Sequence, residues 1–365
     1  MNKKILIIFW GHPLFDGRCI NMMNQLIQQG HLINVMGVGK KTECITYKNI
    51  DIELIGEHNF KNSLTKYFKY FEYVKNYIKN KKADVIIASD LYSMIPCAQT
   101  KIKHNAKIIY DSRELYTQLG GLTNKPYIQK IWSWYEKKYI NKIEQVLVTA
   151  DIDKDYLKNL YQHPNIKIIK NLPGDCFLNK NSINLKEALC LNQNEKILLY
   201  QGKFHKGRGI RFTIQCMHDI PNTALVLIGD GPMKNQYIKE AKKYNMEDKL
   251  FFIDAVPYEK LATFSEHAFI GLSVIQPISK SYENALPNKL FEYAVSGLPV
   301  ICSDLKAMKE MVGQYNNGIV IPYNDKQAFK KAYQKINTHY NNYVLDMKVR
   351  ENLLWRNNVD DLINE

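Results

Sequence analysis

Two stretches in the second half of the chain combine the residue types needed to hold a phosphorylated ligand. The first, Tyr200–Gly209, places three glycines among Lys203, Lys206 and Arg208, directly after an apolar run of strand length. Glycines let a backbone approach a ligand closely, and cations before a helix suit a diphosphate. An ordinary basic surface turn has the same composition, so the loop alone leaves both interpretations open.

The second stretch, Leu286–Ile301, predicts a short helix over about 287–296 and then a buried strand. Proline suits the first helical turn, and the glycine and proline that follow the helix are typical of a helix stop. At about 100° per residue, Lys289 and Glu292 fall opposite the apolar arc. Such a glutamate is ordinarily solvated, but its two oxygens can also accept from vicinal hydroxyls.

Composition limits the class of protein. The 365 residues are 45% hydrophobic, enough for two domains with separate cores. The seven cysteines show no zinc spacing, and no apolar run is long enough for a signal peptide or a membrane span. We therefore expect a cytoplasmic protein without a bound metal or cofactor.

The charge is strongly basic and unevenly distributed. The formal net charge is +14, and residues 1–167 hold 25 Lys and Arg against 15 Asp and Glu, a net +10. A basic balance favours nucleic acid, an anionic membrane or phosphorylated substrates as partners. The cations fall on separate helices and no nucleic-acid-binding signature is present, so we expect no nucleic-acid partner.

Strands and helices alternate in two successive sets, separated by the turn signal Asn171-Leu172-Pro173-Gly174. This order predicts an α/β protein with two doubly wound, Rossmann-like domains that face each other across a cleft. In the first set, the backbone N–H groups of Gly17 and Arg18 lie at the start of a helix, where such folds bind ligands.

The motifs together resemble the retaining glycosyltransferases of family 4 (glycosyltransferase group 1), which have the GT-B fold. The matching segments lie in the order expected for that family: Asn171–Pro173, Gly202–Gly209, Ile228–Pro232 (IGDGP), Phe252–Pro257 (FIDAVP) and Pro287–Tyr293 (PNKLFEY). The resemblance implies an acceptor-side domain over 1–170, a nucleotide-sugar-binding domain over 171–340, and a C-terminal helix over 341–365 that crosses back to the first domain.

The resemblance also implies a reaction. A sugar would pass with retention, and without a metal, from a UDP- or GDP-sugar to a hydroxyl of a lipid-linked or saccharide acceptor, in cell-surface polysaccharide or glycolipid synthesis. Lys203 and Arg208 would stabilise the departing diphosphate, and Glu292 would hold the ribose. Relative to the family pattern, the two cations are exchanged, and Asn284 stands where a first glutamate is usual.

Further substrate contacts are implied at positions that match the family's motifs. Arg113 and Glu114 belong to the segment Tyr110–Leu115, where Arg113 replaces a usual histidine and a strand-end salt bridge is the alternative. The complete predicted substrate-binding set is Gly17, Arg18, Arg113, Glu114, Gly202, Asp254, Val256, Asn284, Asn288 and Lys289.

Two other activities stay open as alternatives. A sugar-nucleotide 2-epimerase uses the same two-domain fold, since a fold does not settle a function. A basic nucleic-acid-binding protein would fit the net charge.

The helix predicted over Asn62–Lys82 suggests a peripheral contact with the inner face of the plasma membrane. Its core stripe is predicted to be Leu64, Phe68, Phe71, Val74 and Ile78, and the opposite face to carry Lys66, Lys69, Tyr70, Tyr73 and Tyr77. Exposed tyrosines among lysines suit the headgroup region of an anionic membrane. The alternative is that these tyrosines pack under a neighbouring loop or subunit.

Overall fold

The computed structural model describes residues 2–60, 65–100, 105–119, 122, 125–178, 185–357 and 362–363. The chain divides into two compact units, Met1–Asn171 with Asn358–Glu365, and Leu172–Asn357. Each unit contains one sheet, and the two are described separately below.

The first unit is built on an eight-stranded sheet in the order β3-β4-β2-β1-β5-β6-β7-β8. Its strands are β1 (Lys4–Ile8), β2 (Leu32–Gly39), β3 (Glu43–Tyr47), β4 (Ile50–Gly56), β5 (Val85–Ala88), β6 (Lys107–Ser112), β7 (Gln145–Val148) and β8 (Ile166–Ile168). Its helices are α1 (Gly17–Gln28), α2 (Lys66–Asn80), α3 (Leu91–Thr100), α4 (Pro126–Ile140) and α5 (Asp151–Tyr161). All pairings are parallel except that of β3 with β4.

The apolar composition of the central strands follows from this arrangement. A parallel sheet is covered by helices on both faces, so its strands do not alternate between apolar and polar residues. In β1, Ile5, Leu6, Ile7 and Ile8 are all at most 1% exposed. Its apolar run predicts a strand buried on both faces, and β1 is such a strand.

The antiparallel hairpin β3–β4 was missed in the sequence analysis. Its two-residue turn, Lys48-Asn49, has positive φ at both positions (48° and 64°), and Tyr47 pairs with Ile50. Positive φ at both turn residues matches the twist of the two strands. The alternation of apolar and polar residues on either side of this turn was the available signal.

Helix α2 buries Phe71, Val74 and Ile78 of the predicted stripe, but two of its positions differ from the prediction. Tyr70 is 0% exposed, and its hydroxyl lies 2.7 Å from the Ser93 Oγ. Phe68, predicted in the core, is 62% exposed, whereas Tyr73 is exposed as predicted. A tyrosine can be buried when its hydroxyl finds a partner, so apolar spacing alone did not predict the burial of Tyr70. Leu64, also predicted in this stripe, lies outside the described residues.

The second unit contains a six-stranded parallel sheet in the order β11-β10-β9-β12-β13-β14. Its strands are β9 (Lys196–Gln201), β10 (Thr223–Ile228), β11 (Leu250–Ile253), β12 (Ile270–Ser273), β13 (Val300–Ser303) and β14 (Gly318–Ile321). Its helices are α6 (Leu185–Ala188), α7 (Ile210–Cys216), α8 (Lys234–Lys243), α9 (Tyr258–His267), α10 (Lys280–Glu283), α11 (Asn288–Ser296), α12 (Lys306–Tyr315), α13 (Lys326–Thr338) and α14 (Met347–Asn352).

The C-terminal segment forms short helices in its described part. Helix α14 is followed by a 3-10 turn, Trp355–Asn357, and the Trp355 N–H donates to the Pro173 carbonyl at 2.8 Å. These residues group with the second unit. No helix within the described ranges is long and apolar enough to cross a membrane.

Candidate functional site

The site in the second unit forms where the strand order of its sheet changes direction. The chain runs from β9 outward to β10 and β11 on one side, and through β12, β13 and β14 on the other. Ligands bind at such a point, beyond the carboxyl ends of the strands, because the loops there diverge. The loops after β9 and β12 meet at this point, where the Gln276 N–H donates to the Gly207 carbonyl at 2.8 Å.

Two glycines permit the backbone conformation of the loop after β9. Gly202 has φ +131°, a conformation that residues with a side chain rarely adopt. Gly209 has φ +76°, and a Cβ on it would lie 2.0 Å from the Val274 carbonyl oxygen. The glycines at these positions therefore let the loop pack directly on the segment that follows β12.

Three cationic side chains surround this loop. The Lys203 side chain is exposed, and the Arg208 guanidinium lies with its Cζ 4.7 Å from the centroid of the Tyr282 ring. The Arg208 Nε is buried and has no hydrogen-bond partner in the described part of the chain. The Lys289 Nζ lies 3.5 Å from the centroid of the Tyr200 ring. Two of the three cations are thus held against aromatic rings.

The surroundings of this site lower the pKa of two of its basic side chains. Burial lowers the pKa of Lys289 well below its usual value, Arg208 lowers it further, and Glu292 opposes the change. Burial likewise lowers the pKa of His205, with smaller contributions from Lys203 and Arg208. An anionic ligand would relieve this repulsion, because it would stabilise the protonated amine.

Helix α11 is buried around almost its whole circumference. Lys289 and Glu292 are 7% and 6% exposed, so the alternative of a solvated glutamate does not hold. The helix packs against α9, α14, β12 and β13, which also cover its polar side. The spacing of apolar residues identifies an apolar arc on the helix. It does not show whether polar residues outside this arc have buried partners.

The buried carboxylate of Glu292 belongs to a hydrogen-bonded chain. The Gln201 Nε2 donates to the Glu292 Oε2, and the Ser265 hydroxyl donates to the Gln201 Oε1 at 3.3 Å. Gln201 is the last residue of β9, so the strand end orients the glutamate. The sequence analysis missed Gln201, although a polar residue that closes an apolar strand run was a usable signal.

The other predicted residues of this unit lie around the same loops. Gly202 is next to Lys289, since a Cβ on Gly202 would lie 3.5 Å from the Lys289 Nζ. Asn284 and Asn288 are half-buried at the segment that leads into α11, and Val256 is half-buried after β11.

Asp254 is placed differently from these residues. Its side chain is 87% exposed and forms an ion pair with Lys234, the first residue of α8. Nothing in the local sequence indicated this pair.

A cavity of about 580 Å³ opens beside the same loop, between α7 and α8. Lys206, Gly207, Arg211 and Lys326 are among the residues that line it, whereas Arg208, Lys289 and Glu292 are not. We therefore do not identify this cavity with the site of the three cations.

In the first unit, two predicted arginines form buried ion pairs at the strand ends. The Arg18 Nε and Nη2 donate to the Asp111 carboxylate at 2.6–3.0 Å. The Arg113 Nε donates to the same carboxylate at 2.9 Å, and its Nη1 donates to Asp16 at 2.6 Å. The salt bridge that the sequence analysis left open for Arg113 is present.

These arginines also control the ionisation of their partner. Burial by itself would raise the pKa of Asp111, but Arg18 and Arg113 outweigh it and hold that pKa below its usual value. Arg18 is anchored further, because its Nη1 donates to the Ile169 carbonyl and to the Asn171 Oδ1, both at 2.7 Å. The guanidinium donors are thus directed at acceptors of the protein.

The remaining two predicted residues of this unit lie nearby. Gly17 is the first residue of α1, whose N-cap Asp16 accepts from the Cys19 N–H at 2.8 Å. Glu114 is exposed, and its carbonyl accepts from the Ser112 hydroxyl at 3.3 Å. Within the described ranges, no group of three or more His, Cys, Asp or Glu residues could hold a metal ion.

Comparison with known proteins gives a match to one family model and a likeness of fold. A family model described as glycosyl transferases group 1 matches residues 181–351. The amylovoran biosynthesis glycosyltransferase AmsD of Erwinia amylovora is 24% identical over 221 residues, which are 60% of this chain and 58% of that protein.

Two solved structures resemble the whole chain. Sucrose-phosphate synthase from Thermosynechococcus elongatus has a TM-score of 0.76 and 18% identity, over 97% of this chain and 96% of that one. HepE from Anabaena, in complex with UDP and glucose, has a TM-score of 0.69 and 12% identity, over 96% and 95%.

Proposed function

We propose that this chain, a glycosyltransferase of group 1 with the GT-B fold, transfers a sugar with retention from a nucleotide diphospho-sugar to an acceptor hydroxyl. One observation carries the proposal. At the switch point of the second sheet, Lys203, Arg208 and Lys289 surround a glycine loop, and the buried Arg208 Nε has no partner among the described residues. A diphosphate supplies the negative charge and the acceptor oxygens that this arrangement needs.

The cations act on the leaving group. As the bond between the sugar and the diphosphate breaks, negative charge develops on the phosphate oxygens. Arg208 and Lys203 stabilise that charge in the transition state, and their positions are set before the reaction begins. We propose that they replace a divalent metal ion in this task. Retention is inferred from the motifs that resemble family 4.

Glu292 binds the ribose of the donor in this proposal. An ionised carboxylate offers about four lone-pair sites, so it can accept from two vicinal hydroxyls while Gln201 holds one of its oxygens. Lys289, three residues earlier on α11, adds a third cation next to the diphosphate loop. The second unit is thus the donor-binding domain, and the first unit takes the acceptor.

We propose the classes of donor and acceptor from what is known of the similar proteins. UDP bound to HepE supports a UDP-sugar, with a GDP-sugar as the alternative. The name of AmsD supports an acceptor in polysaccharide synthesis, either a saccharide or a lipid-linked saccharide.

A thermal-shift screen against UDP- and GDP-sugars tests the donor site. A ligand at 100 times its dissociation constant stabilises the folded state by about 2.7 kcal/mol, so the correct nucleotide should raise the melting temperature. Arg208→Ala should abolish the shift. Arg211→Ala is the matched control, because Arg211 lies one turn away and pairs with Glu240 instead.

Two results would contradict the proposal. One is a chain that responds to neither nucleotide class, and the other is an Arg208→Ala variant that keeps the parental shift. Product analysis with a labelled donor then separates transfer from 2-epimerisation, because only transfer releases the nucleoside diphosphate together with a glycosylated acceptor.

A further inference from the structure

We propose that the cavity between α7 and α8 binds a small sugar phosphate, at a site separate from that of the three cations. The inference goes beyond the proposed function and does not depend on it. It rests on the charge, the polarity and the volume of the cavity, whose lining residues all belong to the second unit.

The charged residues that line the cavity, within the described ranges, are all cations. Lys206, Arg211 and Lys326 are exposed, and no carboxylate lines the cavity with them. They come from the loop after β9, from α7 and from the first turn of α13, which are separate in the sequence. Each would be an ordinary surface charge alone, but together around one cavity they suit an anionic group.

The carboxylates next to these cations have other contacts. Glu240 is 7% exposed and accepts from the Arg211 Nε at 2.9 Å, which orients the guanidinium. In the described part of the chain no residue accepts from the two Nη groups of Arg211, so their donors can serve a ligand. Asp325, which precedes Lys326, is the N-cap of α13 and accepts from the Ala328 N–H at 2.8 Å.

Amide side chains make up much of the remaining polar lining. They are Gln215, Gln236, Gln276 and Asn324. The Gln276 Nε2 donates to the Asn324 Oδ1 at 3.3 Å, which joins the loops after β12 and β14 beside the cavity. An amide both donates and accepts, whereas a phosphate ion chiefly accepts. The amides therefore favour a ligand that carries hydroxyl groups in addition to its charge.

The volume and the apolar lining indicate a ligand larger than a free ion. The cavity measures about 580 Å³, whereas one molecule of liquid water occupies about 30 Å³. Phe212 and Tyr237, both buried, line it together with Met233. Apolar surface with a few placed polar groups is typical of small-molecule sites, and the C–H groups of a sugar ring can pack on it. A sugar phosphate combines this ring with hydroxyls and an anionic group.

The cavity shares a loop with the site of the three cations but not its side chains. Gly207 and Gly209 line the cavity, whereas Arg208 between them contacts the Tyr282 ring instead. A change at Arg208 should therefore affect one site, and a change at Arg211 should affect the other. This allows a crossed test.

Isothermal titration calorimetry of the full chain tests the proposal. Ribose 5-phosphate or mannose 6-phosphate should bind, inorganic phosphate should bind at least about tenfold more weakly, and ribose should give no detectable heat. Arg211→Ala and Lys326→Gln should each weaken binding of the sugar phosphate by about 10- to 100-fold, because each removes a charge-assisted hydrogen bond. Lys330→Gln is the matched control, since Lys330 is exposed one turn further along α13, does not line the cavity and should not affect binding.

The crossed measurement separates this site from the donor site. Arg208→Ala should bind the sugar phosphate like the parent while it loses the nucleotide-induced thermal shift, and Arg211→Ala should do the reverse. The proposal is overturned if neither sugar phosphate binds, or if Arg211→Ala and Lys326→Gln both bind like the parent. Loss of binding in Arg208→Ala alone would place the sugar phosphate in the donor site. Equal affinity for inorganic phosphate would reduce the cavity to a site for a free anion.

Discussion

Charged side chains gather at the carboxyl ends of the strands in both units, but the two groups are balanced differently. In the first unit, Arg18 and Arg113 face Asp16 and Asp111, so the named charges cancel. In the second, Lys203 and Arg208 outnumber the one named carboxylate, Glu292, even when the buried amine of Lys289 is neutral, so an excess of positive charge remains.

We infer from this difference that the first group is a structural framework and the second a binding site. Breaking a buried, paired network removes stability, because a charge is then left buried without its partner. A site with excess positive charge is suited to an anionic ligand. We expect its residues to contribute more to ligand binding than to folding. The four predictions below test this distinction, from the largest expected effect to the smallest.

Asp111→Ala should lower the free energy of unfolding of the first unit by about 3–5 kcal/mol, since Arg18 and Arg113 would stay buried without their shared carboxylate. Urea denaturation measures the loss. Asp304→Ala is the control, because Asp304 and its partner Lys309 are 49% and 63% exposed, and it should cost at most about 1 kcal/mol. Equal losses in the two variants would remove the distinction between the units.

Arg208→Ala should reduce the turnover number by about 100- to 1,000-fold, or about 2.7–4 kcal/mol of barrier, because charge develops on the diphosphate in the transition state. Its urea midpoint should match that of the parent. Release of the nucleoside diphosphate measures the rate, again with Arg211→Ala as control. A variant that unfolds early but turns over normally would make Arg208 part of the framework. Activity that a chelator abolishes and Mg²⁺ restores would contradict the metal-independent mechanism.

Glu292→Gln should weaken donor binding by about 1.5–3 kcal/mol, because hydrogen bonds from ribose hydroxyls to a charged acceptor become bonds to a neutral one. Isothermal titration calorimetry with the donor or its nucleoside diphosphate measures the loss. Transfer at the parental rate and affinity would show that Glu292 does not hold the ribose.

Donor affinity should fall as the pH rises, by at most about tenfold per pH unit, because a bound diphosphate restores the proton that burial removes from Lys289. The effect of pH on the folding stability of the free chain has the opposite sign. A lysine with a lowered folded-state pKa loses its proton on folding, so the free chain gains stability as the pH rises towards the unfolded-state value.

Calorimetry of the nucleoside diphosphate in two buffers of different ionisation enthalpy counts the protons taken up on binding. The parent should take up protons, and Lys289→Met should take up fewer. Identical proton counts for the two proteins would assign the uptake to another group, such as His205.

Much of the secondary structure could be read from local patterns. The apolar runs predict strands over Leu250–Ile253 and Gly318–Ile321, and β11 and β14 have these bounds, because apolar runs between turn signals are typical of strands. The burial of Tyr70 on α2 was not predicted for a tertiary reason, since Ser93 of α3 supplies a partner for the Tyr70 hydroxyl. A helical projection contains no information about that neighbour.

The sequence indicated individual residues of the candidate site, but not which of them contact one another. The glycine loop was proposed from its residue types and spacing, and Glu292 from the resemblance to family 4, and the roles of both stay predictions. The contact of Arg208 with Tyr282 joins residues 74 positions apart, and that of Arg18 with Asp111 spans 93. Such pairs form only when the sheet order brings separate loops together, so no local pattern could distinguish an arginine bound by an aspartate from one that awaits a ligand.

By itself, the sequence determines that apolar runs become parallel strands, that glycines permit the loop after β9, and that cations and a carboxylate stand close to strand ends. Those features depend on each residue and its near neighbours along the chain. Only the tertiary structure decides which charges cancel, which tyrosines are buried and which residues line the cavity beside α7. The physical reason is that hydrogen-bond partners, desolvation and Coulomb interactions are set by distances in space, which the packing of elements from distant parts of the chain creates.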